Sequence, residues 1–127
     1  MSVAELSPGL RRLIVGAIAT VPHLEALLLL RAQPREWSGH EVGARLYISP
    51  ERAESVLSEL ASCGLLRATD GGFAYRPDDT TTAPLVDELA EVYARHVVDV
   101  TSFIHSRTDR AAQQFADAFL LRKGDRQ

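Results

Sequence analysis

The Ser49-Pro50 step most constrains this chain, because it ends one short helix and starts another within two residues. Proline disfavours helical geometry at the residue before it, so a helix running toward Ser49 has to stop. Ser49 then offers its hydroxyl as a cap, and Pro50 suits the first helical position, where its missing amide costs nothing. Upstream, Ser38 and Glu41 stand at capping-box spacing with Trp37 and Val42 as a flanking hydrophobic staple, so the first helix begins near Gly39. Val42, Ala44, Leu46 and Tyr47 give it a short apolar face. Downstream, Ala53, Val56, Leu57 and Leu60 mark one face of a second helix over 50–63, and Gly64 supplies the left-handed stop.

After Gly64 the period switches from helical to alternating. Leu65 to Thr69 and Phe73 to Arg76 read as two short strands around a three-residue Asp70-Gly71-Gly72 turn, which is a hairpin signal. A short strand at Trp37, two capped helices and a hairpin together predict a winged helix-turn-helix: a mainly α fold with a small β wing. The residues Glu41 to Leu46, Ile48 to Arg52 and Leu57 to Leu66 resemble bacterial winged-helix transcriptional regulators of the broad MarR-like and ArsR-like type. That resemblance covers about a third of the chain. It implies that the outward residues of the second helix face the DNA major groove, with the wing reaching a phosphate or the minor groove.

The flanking segments extend this core. Ser7-Pro8 caps an appended helix over 8–20 with a stripe of Leu10, Leu13, Ile14, Ala17 and Ile18. A densely apolar helix follows from about Pro22 to Ala32, with Leu24, Leu27, Leu28 and Leu30, and it opens a core spanning 22–77. His23, near its start, reads as a capping or surface residue. The polar link 77–82 leads into a helix whose apolar residues, Leu85, Leu89, Val92, Tyr93, Val97, Val100 and Ile104, recur at spacings of three and four. They predict one continuous helix of roughly 30 Å. Thr108 can cap a last helix over about 109–122, so the C-terminal helices span 82–122. Their exposed stripes predict an isologous homodimer interface carried by Leu85, Leu89, Val92, Tyr93, Val97, Val100 and Ile104; the alternative is that the terminal helices pack on their own core as a monomer.

At 127 residues and 46% hydrophobic content, the chain fits one soluble domain over 1–127. Cys63 is its single cysteine, which leaves no internal disulfide, fits a reducing cytoplasm and reads as a small buried residue under the helix end. No segment reads as a signal peptide or a membrane span. His23, His40, His96 and His105 are scattered, and the sequence has no HExxH, paired cysteines, phosphate loop or nucleophile elbow. The expectation is therefore a non-enzymatic protein without a metal site or cofactor.

A net charge of −3 and a pI near 5.8 give no overall attraction to nucleic acid, so binding would need a local basic patch. The candidate DNA contacts are Arg45, Ser49, Arg52, Ser55, Ser58, Arg67 and Arg76. Arg52 can pair with guanine, and Ser55 or Ser58 with a base or phosphate. Against them, Glu51, Glu54 and Glu59 leave the second helix with a formal charge of −2. Two readings follow: a DNA-binding transcriptional regulator acting as a homodimer, or a winged-helix module that meets a protein partner instead of duplex DNA.

Overall fold

A computed structural model describes residues 6–106 of the protein. Helix α1, Pro8–Ala17, starts at Ser7, whose hydroxyl accepts from the Leu10 amide at 3.2 Å. It is three residues shorter than the stripe suggested, because Thr20 already caps α2, Val21–Ala32, and the chain bends by 109° between the two helices. α3 spans Gly39–Leu46 and α4 spans Pro50–Ser62. Strands β1, Leu66–Thr69, and β2, Gly72–Tyr75, form an antiparallel hairpin. α5 follows over Thr82–Arg95, and α6 is described over 97–106. The molecule is thus mainly helical with one small sheet.

The caps act as their residue types require. Ser38 accepts from Glu41 N–H at 3.1 Å while Glu41 accepts from Ser38 N–H at 3.0 Å, closing both halves of the capping box. α4 ends with Gly64 at φ 81, where Gly64 N–H donates to Ala61 O and Leu65 N–H donates to Leu60 O. This is the six-to-one and five-to-two pairing of a Schellman end, with Leu60 and Leu65 buried beside it. α3 ends differently from expectation. Tyr47 takes the left-handed conformation, φ 60 and ψ 41, and its side chain is 95% exposed instead of joining the apolar face. Ala44 is exposed as well, so Val42 carries that face with Gly43, which packs against the Ile48 carbonyl.

Trp37 ties the hairpin to the helices. Its N–H and carbonyl exchange two 2.8 Å hydrogen bonds with Phe73, making a third, one-residue rung outside β2. The indole Nε1 donates to Gln33 O at 3.0 Å, and the ring is 1% exposed. The hairpin turn is one residue tighter than predicted: Thr69 pairs with Gly72, so Asp70 and Gly71 alone make the loop. Gly72 is required here, since a Cβ at that position would strike the Trp37 carbonyl.

One core collects Leu10, Ile14 and Ile18 of α1, Leu24, Leu27 and Leu30 of α2, and Val56, Leu57 and Leu60 of α4, with Phe73 from the hairpin. α3 packs on α4, α4 on α2 and β1, and α1 on α5. The continuous helix expected past Leu85 is interrupted at His96, φ −135 and ψ 55. No proline or glycine marks the break. Beyond the break, Thr101 Oγ1 bonds back to the Val97 and Val98 carbonyls, and Val100 and Ile104 are buried. Leu89, Val100 and Ile104 of the expected dimer stripe are therefore covered within the chain, Leu85, Val92 and Tyr93 are half-buried, and Val97 is 47% exposed beside Val98 at 75%. The helix expected over 109–122 lies outside the described residues. No single helix among the described residues is long and apolar enough to cross a membrane.

Replacing Gly72 with alanine should separate Trp37 from the hairpin and lower the unfolding free energy by at least about 2 kcal/mol, read by urea denaturation. A loss under about 0.5 kcal/mol, the range of an ordinary surface substitution, would contradict the role assigned to this contact.

Candidate functional site

The exposed side of α4 is fixed by its buried side. With Ala53, Val56, Leu57 and Leu60 facing inward, Glu51, Ser55, Ser58 and Ser62 lie along the outward line, Arg52 and Glu59 on one flank and Glu54 on the other. Ser62, unassigned in the sequence reading, continues the serine line, but its hydroxyl donates to Glu59 O at 2.8 Å. Ser49 is exposed, yet its oxygen accepts from Arg52 N–H at 3.1 Å, so its first duty is the cap. Arg45, in the last turn of α3, sits 5.5 Å from the Trp37 ring centroid. Arg35 is closer to the same ring at 3.6 Å, and its Nη1 donates to Glu36 O and Glu41 Oε2.

The two hairpin arginines form a second group. Arg67 stands opposite Ala74, and Arg76 N–H extends the ladder to Leu65 O, so both side chains belong to the outward face of the hairpin. With Arg35 they border an open groove of about 690 Å³ that also holds Glu36 and Asp70. A smaller groove, about 350 Å³, separates the hairpin from the first turns of α3 and α4, and its charged residues are Glu54 and Asp70. Of the seven residues proposed from sequence, Arg52, Ser55 and Ser58 lie on α4, Arg67 and Arg76 on the outer hairpin face, and Arg45 and Ser49 at the end of α3 and the following turn, while Glu54 and Asp70 line the cleft between the helices and the hairpin.

Several of the acids are nevertheless engaged inside the molecule. The Ser38 amide, followed by Arg35, holds the Glu41 carboxyl below the usual carboxylate range. Glu36 accepts from the Gly71 amide at 3.1 Å and braces the hairpin turn. Glu59 lies 3.4 Å from Nε2 of His23. By contrast, Arg45, Arg52, Arg67 and Arg76 make no ion pair among the described residues.

His23 corrects the surface half of its sequence assignment, for it is 2% exposed on α2 and faces α4, while its contact with the Thr20 cap fits the capping half. Its Nδ1 is 2.7 Å from Thr20 Oγ1. Nε2 reaches Glu59 within ion-pair range but out of hydrogen-bond alignment, leaving that nitrogen without a hydrogen-bond partner. Helical spacing alone carried the signal: His23 and Leu27 are four apart, one face of α2. Cys63 is also corrected. It is exposed, with Sγ 3.8 Å from Gly16 O, because the helix end around it is closed by Leu60 and Leu65 instead. Tyr47 and Ala44, both expected on the apolar face of α3, are misplaced by the sequence as well.

Among the described residues, no group of three histidine, cysteine, aspartate or glutamate side chains is arranged to hold a metal ion. Comparison with protein-family models, with curated proteins and with solved structures finds no match.

Burial holds the His23 imidazole below its ordinary value of 6.5, with Glu59 pulling the other way and Arg52 adding to the depression. The unfolded chain then binds the proton more readily than the folded one. Stability from this residue is full above about pH 6.5 and declines as the pH drops from there through the folded value. Urea midpoints of the wild type should fall more steeply on acidification below about pH 6.5 than those of His23→Gln; equal slopes would show that His23 does not contribute.

Proposed function

We propose that the chain is a winged helix-turn-helix protein that binds duplex DNA as a transcriptional regulator, with α4 as the helix entering the major groove and the hairpin as the wing. The supporting fold features are the tight α3–α4 turn through Tyr47, and a hairpin pinned by Trp37 next to the end of α4. The observation that carries the reading is the state of the arginines: Arg45, Arg52, Arg67 and Arg76 are without ion-pair partners among the described residues, while Glu36 and Glu41 are held by the Gly71 amide and by Arg35. The acids weighed against DNA in the sequence are a different set: Glu51 and Glu54 make no ion pair among the described residues and Glu59 faces an uncharged His23 ring, so α4 keeps its acidic charge beside Arg52. Arg52 is then the base-contacting candidate, Ser55 and Ser58 reach base edges or phosphate, and Arg67 and Arg76 reach the backbone.

In this reading the protein acts as a homodimer, which would place two copies of α4 on successive half-sites. Val97 and Val98, exposed beside the α5–α6 break, are the apolar residues that a partner copy would cover. A monodisperse solution mass of one chain at micromolar concentration would remove the dimer.

A specific observation favours a second reading. Tyr47 projects from the α3–α4 turn almost wholly exposed, and a cleft at the start of α3 carries Glu54 and Asp70. An exposed aromatic and an acidic cleft on one surface suit a basic protein partner. A gel shift with random duplex at low salt separates the two. DNA binding should weaken with a log-log salt slope of about −4 to −5 for a dimer using half of about five phosphate-contacting arginines per protomer. Arg67→Ala and Arg76→Ala should each reduce that slope by about 1 for each contact removed. Absence of retardation at low salt would set the DNA reading aside in favour of the protein partner.

A further inference from the structure

We infer that His23 is a proton-binding site coupled to the outward face of α4, such that proton uptake neutralises Glu59 and tightens the grip on a phosphate backbone. This inference rests on the DNA reading above and assigns a regulation to that same face.

The geometry supplies an acceptor for each ring nitrogen. Thr20 Oγ1 lies 2.7 Å from Nδ1, and it also accepts from the His23 backbone amide at 3.5 Å as the cap of α2. With the ring neutral, the Thr20 hydroxyl can donate to Nδ1, which leaves the ring proton on Nε2, facing Glu59. With the ring protonated, Nδ1–H donates to Thr20 Oγ1, whose second lone pair remains for the amide, and Nε2–H points at Glu59 Oε1, 3.4 Å away. A small turn of the exposed Glu59 side chain converts that contact into a charge-assisted hydrogen bond. Among the described residues, the charged groups acting on the ring are Glu59 and Arg52, both on α4. The imidazolium therefore meets one carboxylate directly, and Arg52 opposes it from the same helix.

Glu59 is the link to the surface. It is 59% exposed on the flank of α4 that also carries Arg52, beside the line of Ser55 and Ser58. In the neutral-ring state its carboxylate repels a phosphate approaching Arg52. One proton on the buried ring cancels that charge from behind, with no movement needed beyond the turn of Glu59 itself. Linkage makes the effect reciprocal: a phosphate held at Arg52 cancels the cation that disfavours His23 protonation, so duplex and proton each raise the affinity for the other. Burial, which lowers the imidazole's ordinary value, keeps the free protein mostly unprotonated near neutrality and leaves the proton to be taken up on binding.

The test is a duplex titration at fixed low salt, followed by fluorescence anisotropy at about pH 7.5 and about pH 5.5, with near-ultraviolet circular dichroism confirming the folded state at both. The dissociation constant should fall about fivefold on acidification. His40→Gln, which removes the exposed histidine on α3, should retain that response. His23→Gln should abolish it. Glu59→Gln, a surface change that does not depend on refilling a buried site, should bind more tightly at the higher pH and show no further gain at the lower one. A wild-type affinity that does not change with pH, a response that persists in Glu59→Gln, or one that disappears in His40→Gln, each overturns the coupling while leaving DNA binding intact. Absence of anisotropy change at both pH values overturns the DNA reading and this inference with it.

Discussion

The double hydrogen bond between Trp37 and Phe73 is the contact on which the arrangement of the described residues depends. A two-stranded hairpin of four-residue strands is marginal alone in water, and this one gains a third rung and a buried indole from the segment joining α2 to α3. The same residue is the staple before α3 and the platform on which Arg35 lies. Position, orientation and local charge of the hairpin thus trace to one side chain and its backbone. Gly72 is the concession the chain makes to that closeness.

A second constraint is set by the ends of α3 and α4. Ser38 and Ser49 start them, Tyr47 and Gly64 stop them, and each stop is made by a residue in the left-handed region. Glycine adopts that conformation freely, whereas tyrosine does so at a cost of about 1 to 2 kcal/mol that the surrounding packing has to offset. The result at Tyr47 is a sharp, well-hydrogen-bonded corner from which an aromatic ring stands into solvent. The placement of Glu59 is a similar consequence: the face of α4 that buries Leu57 and Leu60 leaves Glu59 at the edge, within reach of the only buried charged-type side chain of the described core, His23.

Local chemistry made most of the core legible before any coordinates. The serine caps, Pro50, Gly64 and the Phe73 alternation each determine backbone geometry within three or four residues, and each is found where its residue type places it. What the sequence misjudged was set by contacts distant along the chain. The His96 break has no breaker residue to announce it, and with Val100 and Ile104 buried beyond it the long stripe ceases to be one exposed surface. His23 looked like a surface cap because its partner, Glu59, is thirty-six positions away. Cys63 looked buried because small apolar residues usually are, but the Schellman pair Leu60 and Leu65 already fills that corner. As for the candidate site, single residues such as Arg52, Ser55 and Ser58 were identifiable as outward from helical spacing, whereas the separation of the arginines by Glu54 and Asp70 required the fold.

Cys63 carries a practical consequence of that last displacement. A solitary thiol at the solvent-facing end of α4, touching the α1 backbone only through a long sulfur contact to Gly16, accepts a maleimide dye or nitroxide without any prior cysteine removal. A probe attached there would ride on α4 at the end remote from Arg52, and would sense tilting of α4 against α1 as a change in its own tumbling.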